Sequence, residues 1–391
     1  MFLSTSRSIR LSSLAVLAVT LLSGCASIVS QGALSPPMLN VTLMSEPELN
    51  AIGYRHGKFC EVANYHELGF EALQQRYDTQ GLCMAYMHAP AYDNAGLRNW
   101  AVQADTWGEH APIRTRAMEV ELKYWPWHSA LSAPFFDALS IDDSQEQLLY
   151  AIELNTTRGD DEVVLHLTRE DSAESPVQKQ GTYVLIHGFR TNKQSLFFVA
   201  EALRFHGYDV VLVDLLGHGQ SQGEFSFSGK PDAMVVSKLI DSLALQGPVH
   251  ALGMSMGGTT AAHLTALRDD IESLTLLAPM LEFVDAFVDA GRAYTRTAHL
   301  LPQSTLQKGA QHALNEVGTP LGDTSVVQRV SELGVPVLIF ASANDSISSL
   351  NKLQQLQSDA VTVHASEPRT HHGMMLLDTA DIAVWLQWRG Q

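Results

Sequence analysis

The fold of this chain is decided by residues 249–267, which read VHALGMSMGGTTAAHLTAL. The first four residues form a short apolar run, and the last ten are rich in Ala and Leu at helical spacing. Between them, Gly253 to Gly257 predicts a sharp turn from a strand into a helix, with Ser255 at its apex. Such a turn strains the serine backbone and requires that the residues two before and two after lack colliding side chains. The pattern therefore predicts a hydroxyl pushed out of the turn, beside the first N–H groups of a helix.

Short apolar runs alternate with helical patterns on both sides of this turn. The apolar runs are residues 183–186, 210–213 and 274–277, and the helical patterns lie at residues 194–205 and 233–245. This alternation predicts an α/β fold, in which a mostly parallel sheet is covered by helices on both faces. Functional side chains in such sheets collect at the carboxyl ends of the strands.

Two further segments at predicted strand ends, together with the Ser255 turn, resemble the alpha/beta-hydrolase superfamily. His187-Gly188-Phe189-Arg190 resembles the start of that superfamily's oxyanion loop. Residues 214–221, DLLGHGQS, resemble the Asp-x-x-Gly-His-Gly-x-Ser turn of its esterase, monoacylglycerol-lipase and related peptidase branches. The resemblance covers about residue 147 to the C-terminus, and it implies an alpha/beta-hydrolase fold with Ser255 as the nucleophile. Motifs of this kind are poor at naming a substrate.

The resemblance also implies an acidic residue in the loop after a later strand. Asp345 follows the apolar run 337–341 and lies in the position that the family uses for its acid. Asp323, which lies in a loop before that strand, is the weaker alternative. We therefore expect Asp345 to be the acid of a serine triad.

The catalytic base is expected in a loop before the last helix, where two adjacent histidines lie. His372 is favoured over His371, because it falls nearer the family position when counted back from the final helix and because it precedes Gly373. A metal-binding pair is another use of adjacent histidines, but no Cys or carboxylate cluster with ligand spacing accompanies them. The order Ser255, Asp345, His372 is the one that alpha/beta hydrolases use.

These residues imply acyl transfer through a covalent intermediate on the serine. His372 accepts the Ser255 proton, Asp345 orients the imidazole, and the backbone N–H groups of Phe189 and Met256 bind the oxyanion. This chemistry requires no metal and no cofactor. His187 and His218 are interpreted as structural, with His187 bracing the oxyanion loop.

The beginning of the chain is interpreted as a targeting segment. A basic start is followed by an apolar run, residues 11–22, that is too short for a permanent membrane span. Leu22-Ser23-Gly24-Cys25 resembles the bacterial lipobox, which implies that Cys25 is lipidated and anchors the protein to a membrane of the cell envelope. Ala26 after the cysteine favours the periplasmic face of the outer membrane by the same resemblance. An ordinary signal peptide with an unrelated cysteine is the alternative.

The net charge bears on the possible binding partners, and the cysteine content bears on a possible disulfide. The formal net charge of −17 becomes −19 if Arg7 and Arg10 are removed with the signal (−17 − 2), which argues against nucleic acid and against electrostatic docking on anionic lipids. Cys60 and Cys83 remain as an even pair that closes a short loop. In an oxidising compartment this pair predicts a disulfide, and two buried free thiols are the alternative.

The chain is expected to divide into four parts. They are a lipoprotein signal peptide (1–24), a linker (25–44), a mostly helical accessory region (45–145) and the alpha/beta-hydrolase domain (146–391), with a helical cap at about 280–334. The hydrolase part opens with the apolar runs 148–154 and 163–167, which predict a strand–turn–strand unit. With 46% hydrophobic and 17% charged residues, the composition is that of a globular protein with a large core.

We expect a lipid-anchored serine hydrolase of carboxylic esters. Lysophospholipid or monoacylglycerol-like esters are favoured, because apolar positions of the expected cap between Leu281 and Val288 suit an acyl chain, although plain packing against the sheet explains them equally. An acyltransferase or a peptidase with the same triad is the second reading. A non-catalytic lipoprotein with a hydrolase fold is the third, and it predicts a damaged triad or oxyanion loop, whereas these elements are intact here. The sequence does not indicate a protein partner.

Overall fold

The computed structural model describes residues 25–34, 38–61, 82–92, 116–117, 121–122, 135–142, 147–156, 159–168, 178–224 and 226–390. Within this part, strands β1 to β14 are Leu39–Asn40, Arg55–Glu61, Leu82–Ala89, Arg116–Ala117, Glu121–Leu122, Phe135–Asp142, Gln147–Thr156, Gly159–Thr168, Gly181–Ile186, Tyr208–Val213, Val249–Met254, Ile271–Leu277, Val337–Ala341 and Val361–Ala365. Helices α1 to α10 are residues 25–34, Glu46–Ala51, Phe197–Phe205, Lys230–Leu243, Met256–Leu267, Phe283–Tyr294, Gln303–Glu316, Val326–Glu332, Leu350–Leu353 and Thr379–Arg389.

An eight-stranded sheet forms the centre of the fold, in the order β14-β13-β12-β11-β9-β10-β3-β2. The six strands from β14 to β10 pair in parallel, whereas β3 pairs antiparallel with β10 and β2 pairs antiparallel with β3. Every residue of β9, β10 and β11 is buried, because helices cover both faces of the sheet. The predicted α/β fold with a mostly parallel sheet is confirmed.

The two faces of the sheet carry separate hydrophobic clusters. Successive side chains of a strand point to opposite faces, so Val184 and Ile186 of β9 join one cluster while Tyr183 and Leu185 join the other. The second cluster includes α10, whose Trp385 donates a hydrogen bond from its indole nitrogen to the Tyr183 hydroxyl over 3.0 Å. This indole contact fixes the last helix against the centre of the sheet.

A smaller antiparallel sheet has the order β4-β6-β7-β8. Its hairpin β7–β8 is the strand–turn–strand unit expected from the sequence, and it pairs from Gln147↔Thr168 to Thr156↔Gly159. Along β8, residues 161, 163, 165 and 167 are buried and residues 162, 164 and 166 are exposed. One face of this hairpin therefore packs inward, and the Tyr150 ring lies 4.9 Å from the Phe198 ring of α3.

The N-terminal region differs from the sequence-based expectation within the described residues. The helix expected after Ser45 is present as α2, but Arg55–Glu61 and Leu82–Ala89 are strands and not helices. They complete the central sheet beyond β10, so the sheet crosses the expected division between residues 145 and 146. The Cys60 and Cys83 sulfur atoms form a disulfide between these two strands, at directly paired positions.

Residues 25–34, expected to begin a linker, are instead helical and packed against the rest of the protein. The Ser30 hydroxyl donates a hydrogen bond to Glu316 Oε2 of α7 over 3.1 Å, and Ala33 is fully buried in the core. A Cβ atom added to Gly309 would lie 2.3 Å from Val29 Cγ1, so the two helices touch at this glycine.

The expected signal peptide, residues 1–24, lies outside the described residues. No helix of the described part has the length and apolar character needed to cross a bilayer.

Candidate active site

Ser255 lies in the turn between β11 and α5, as the sequence predicted. Its φ of 52° and ψ of −120° are strained for a residue with a side chain. A Cβ atom added to Gly257 would lie 2.3 Å from the carbonyl oxygens of both Ile186 and His187, so only glycine fits there. The Ser255 N–H donates to the Leu277 carbonyl of β12 over 3.0 Å, which holds the turn against the neighbouring strand.

His371 connects Ser255 to Asp345. Its Nε2 atom lies 2.9 Å from Ser255 Oγ, and its Nδ1 atom lies 2.8 Å from Asp345 Oδ2. A carboxylate only accepts hydrogen bonds, so Nδ1–H donates to Asp345 and Nε2 is left to accept from the serine hydroxyl. The other oxygen of Asp345 accepts hydrogen bonds from the N–H groups of Ile347 and Ser348, over 2.8 and 2.9 Å. The Asp345 carboxylate is thus held in place by hydrogen bonds from its own loop.

The preference for His372 as the base is wrong. His372 is partly buried, with its ring centroid 6.1 Å from that of His371, and it does not lie between Ser255 and Asp345. Burial, followed by the charges of His371 and Arg190, lowers the pKa of His372 to about 3. Counting back from the last helix placed the base one residue too late, because a 3-10 turn, Gly373–Met375, separates the histidine loop from α10.

The weaker acid candidate, Asp323, has a different set of contacts. Its carboxylate forms ion pairs with Lys230 at 3.4 Å and with Arg329 at 3.6 Å. Its backbone carbonyl lies 2.8 Å from His263 Nε2. These contacts connect helices α4, α5 and α8 and do not involve His371, so Asp345 is the acid that the structure brings to the base.

The segment after β9 passes directly beside the serine. A Cβ atom added to Gly188 would lie 3.3 Å from Ser255 Cβ, so the residue before Phe189 is in close contact with the serine. His187 holds this segment: Nδ1 lies 2.7 Å from the Gly188 carbonyl and Nε2 accepts the Leu215 N–H over 3.1 Å. Burial lowers the pKa of His187, in keeping with a neutral bracing ring as predicted. Met256, the other expected oxyanion donor, is the first residue of α5, where backbone N–H groups have no partner within the helix.

A buried ion pair joins the 3-10 turn at Lys193 to the turn that follows β10, and the sequence interpretation missed one half of it. Lys193 donates to the Asp214 carboxylate from both its backbone N–H, over 2.8 Å, and its side-chain amine. The same carboxylate accepts the N–H of Gln220 over 2.9 Å. Asp214 belongs to the recognised DLLGHGQS turn, but no short motif marks Lys193, which lies in the 3-10 turn Lys193–Leu196.

Two other side chains that the sequence interpretation missed hold the histidine loop. Arg369 donates to the Leu376 carbonyl over 2.7 Å and to the Asp381 carboxylate. Asp161, from the smaller sheet, accepts hydrogen bonds from Thr370. Asp161 acts between segments 209 residues apart, whereas Arg369 joins residues within the C-terminal part of the chain, and no short motif marks either residue.

Helices α6, α7 and α8 occupy the region expected to form the cap. Phe283 of α6 stacks against Phe227 with ring centroids 4.3 Å apart and lies 5.7 Å from Phe287. The Phe227 ring is 6.4 Å from the Phe189 ring, so a continuous group of aromatic rings extends from the oxyanion segment to the cap.

In the described residues there is no group of three or more His, Cys, Asp or Glu side chains arranged to hold a metal ion.

Comparison with known proteins shows where this chain has relatives. Residues 177–316 match the family model described as serine aminopeptidase, S33. Lipase 1 of Psychrobacter immobilis and Lipase 3 of Moraxella sp. (strain TA144) are each 33% identical over 97 residues, which is 24% of this chain. The aligned stretch spans only 30% of the length of these lipases.

Solved structures of low sequence identity also resemble the chain. Est1E from Butyrivibrio proteoclasticus, solved with ferulic acid bound, is 18% identical with a TM-score of 0.42, and the match covers 55% of this chain and 91% of that one. The Pyrococcus furiosus esterase Pf2001 is 12% identical with a TM-score of 0.41, over 72% of this chain and 96% of that one. The family-model match over residues 177–316, the strand order of the central sheet and the turn at Ser255 together support the resemblance of this part of the chain to the alpha/beta-hydrolase superfamily.

Proposed function

We propose that this protein is a serine hydrolase that cleaves carboxylic esters through an acyl-enzyme on Ser255. The observation that carries the proposal is the His371 ring, which lies within hydrogen-bond distance of both Ser255 Oγ and Asp345 Oδ2. A nucleophile within reach of a base that a third group orients is the arrangement of serine acyl transfer. The non-catalytic reading is disfavoured, because it predicts a damaged triad.

In the proposed reaction, Ser255 Oγ attacks the ester carbonyl while His371 Nε2 accepts its proton. Asp345 stabilises the imidazolium that forms, and the N–H groups of Phe189 and Met256 donate to the oxyanion. One such donor typically contributes about 2.7–4 kcal/mol to the transition state. Collapse of the intermediate breaks the ester bond, and His371 returns the proton to the leaving alcohol. Water then attacks the acyl-serine with the same residue as base and releases the acid.

A lipid-like ester is the substrate class that the surroundings favour. Phe189 of the oxyanion segment and Phe287 of the cap are partly exposed and offer apolar contacts, and the buried rings of Phe227 and Phe283 connect them. The two curated relatives are lipases by name, which agrees with an acyl chain as the bound group. We propose lysophospholipid or monoacylglycerol-like esters on these grounds.

A peptidase or an acyltransferase with the same residues is the second candidate. The specific observation in favour of a peptidase is the description of the matching family model, serine aminopeptidase. The acceptor and the leaving group depend on pocket shape and water access, which the triad does not determine. Product analysis with ester, thioester and aminoacyl-arylamide substrates distinguishes the three reactions.

We also propose that lipidation of Cys25 anchors the protein at the periplasmic face of the outer membrane of a bacterium. The proposal rests on the lipobox-like residues 22–25. Cys25 is an unpaired, partly exposed cysteine at the start of α1, which packs on the cap helix α7. Incorporation of labelled palmitate into the wild-type chain, and its loss in Cys25→Ser, is the expected result. Equal incorporation in both would contradict the anchor.

The decisive experiment for the enzymatic activity is labelling with a fluorophosphonate probe. The wild-type protein should be labelled, and Ser255→Ala should not. Turnover of p-nitrophenyl esters of increasing chain length then tests the substrate class, with the highest kcat/KM expected for acyl chains long enough to reach the cap. A folded wild-type protein that remains unlabelled would overturn the proposal.

A further inference from the structure

A buried carboxylate from the smaller sheet contacts the loop that carries His371. Asp161 lies on β8, near the turn of the β7–β8 hairpin, where it pairs with Leu154. It belongs to the inward-facing row of this strand, whose other members, Val163, Leu165 and Leu167, are apolar. With 7% of its surface exposed, Asp161 is the polar exception in a buried row.

Its hydrogen bonds come from one residue, Thr370. The Thr370 N–H lies 3.0 Å from Asp161 Oδ1 and 3.2 Å from Oδ2, and the Thr370 hydroxyl donates to Oδ2 over 2.5 Å. The loop also closes on the carboxylate from the other side, since a Cβ atom added to Gly373 would lie 2.5 Å from Asp161 Oδ2. The Gly373 N–H in turn donates to Thr370 Oγ1 over 3.4 Å. The carboxylate therefore fills the inside of the loop.

This contact acts on the residue directly before the base. Arg369 is held on its own side by Ser342, whose hydroxyl accepts the Arg369 N–H and donates to the Arg369 carbonyl, both over 2.8 Å. With residues 369 and 370 both fixed through their backbones, the direction of the next side chain is determined. That side chain is His371, which reaches Ser255 at 2.9 Å.

The energetics favour a functional reason for a carboxylate at this position. Removing a charge from water is unfavourable unless hydrogen bonds compensate for it, and an apolar residue would continue the buried row of β8 at no such penalty. Hydrogen bonds to an ionised acceptor are about twice as strong as neutral ones, so the carboxylate holds Thr370 more firmly than a neutral group would. The smaller sheet thus holds, through Asp161, a loop that belongs to a distant part of the chain.

We propose that Asp161 is a positioning residue for catalysis, which holds Thr370 so that His371 stays in line between Ser255 and Asp345. It does not touch the reacting atoms. The inference rests on the proposed function for its kinetic consequence, but its structural consequence, a loop whose order depends on Asp161, is independent of that function.

The test compares Asp161→Ala with Glu162→Ala, the same truncation at the next, exposed residue of the same strand. Asp161→Ala should lower kcat by up to about 100-fold with KM little changed, because a misplaced base slows chemistry and not binding. Glu162→Ala should behave as wild type. Thr370→Val, which lacks the hydroxyl, should reproduce the loss, and Thr370→Ser, which restores it, should recover activity relative to Thr370→Val.

Hydrogen exchange supplies the second readout, and it does not depend on activity. In Asp161→Ala, amides of residues 369–376 should exchange faster, while those of β11 keep their wild-type protection. Equal exchange and equal kcat in Asp161→Ala and wild type would overturn the inference. A wild-type protein without any turnover or labelling overturns the proposed function instead, and the exchange data still decide whether Asp161 holds the loop.

Discussion

The Nε2 atom of His371 lies 2.9 Å from the Oγ atom of Ser255, which precedes it by 116 residues. The next residue, His372, lies outside this contact, although the two histidines are adjacent in the chain. The geometry therefore distinguishes two residues that have the same chemical groups.

The two histidines should respond oppositely to replacement. His371→Asn should reduce kcat on the order of 10⁶-fold, as loss of the base does in a serine triad. His372→Asn should still be labelled by a fluorophosphonate, with its effect confined to stability, because the wild-type ring is uncharged near neutral pH and lies outside the contacts that join Ser255 to Asp345. Ester hydrolysis and thermal melting of both variants provide the measurement. Full activity in His371→Asn would return the base to His372.

The acid can be tested against its rival in the same way. Asp345→Asn should reduce kcat by about 10⁴-fold, because the amide favours the wrong imidazole tautomer. Asp323→Asn should leave kcat near the wild-type value and lower the melting temperature, since Asp323 pairs with Lys230 and Arg329 and not with His371. The reverse pattern in a kinetic assay would show that the triad is wrongly assigned.

The turn at Ser255 should not tolerate a side chain at Gly257. Gly257→Ala places a methyl group 2.3 Å from two carbonyl oxygens of β9 and the following residue, so the backbone must shift. We expect a loss of stability of about 1–3 kcal/mol, as for other overpacked sites, and loss of probe labelling. Gly334→Ala is the matched control, because an added Cβ atom there meets nothing within 4 Å. Urea unfolding of the two variants makes the comparison, and equal midpoints would contradict the argument.

Stability should depend on pH through Asp232 at the start of α4. Burial raises the pKa of Asp232 to about 7, although the Leu216 N–H donates to its Oδ1 atom over 2.6 Å. A raised carboxyl pKa means that the native state binds more protons than the unfolded state. The resulting stabilisation is present in acid and is lost as the pH rises from about 4 to about 7.

Asp232→Asn, which resembles the protonated carboxyl and retains an acceptor for Leu216, removes this dependence. Across that pH range the free energy of unfolding of the wild type should fall by up to about 1.4 kcal/mol per pH unit relative to the variant. Urea unfolding at pH 5 and pH 8 is the measurement. Parallel curves for the two proteins would show that Asp232 does not titrate in this range.

How much of the site the sequence reveals depends on how local each signal is. The Ser255 turn needs glycines at fixed positions two residues away, so it can be recognised without any knowledge of the rest of the chain. Asp345 is found almost as easily, because it follows a buried strand. The direction of His371 depends on Asp161, which is 209 residues from Thr370 in sequence, and no nearby pattern records that contact. This is why the sequence identified two adjacent histidines but favoured the wrong one as the base.

The same reasoning applies to the N-terminal strands. β2 and β3 are strands because β3 pairs with β10, from Val210↔Ala89 to Val213↔Tyr86, and their own sequences do not show a strand pattern clearly. The Cys60 and Cys83 pair indicated that these segments are close, and the structure joins them across directly opposed positions. The sequence therefore indicated that the two segments are neighbours, but it did not indicate that they are strands, because pairing with a distant part of the chain determines this.

The pairing of β3 with β10 has a practical consequence for anyone who wishes to produce a minimal catalytic fragment. Truncation near residue 145 would remove β2 and β3 from the protein. The buried strand β10 would then become an edge of the central sheet, and its backbone hydrogen-bonding groups would have no partner strand on that side. An uncovered strand of this kind is a template for self-association, so we expect such a fragment to precipitate. Recombinant work on the enzyme is therefore best done with these upstream strands retained and their cysteines oxidised.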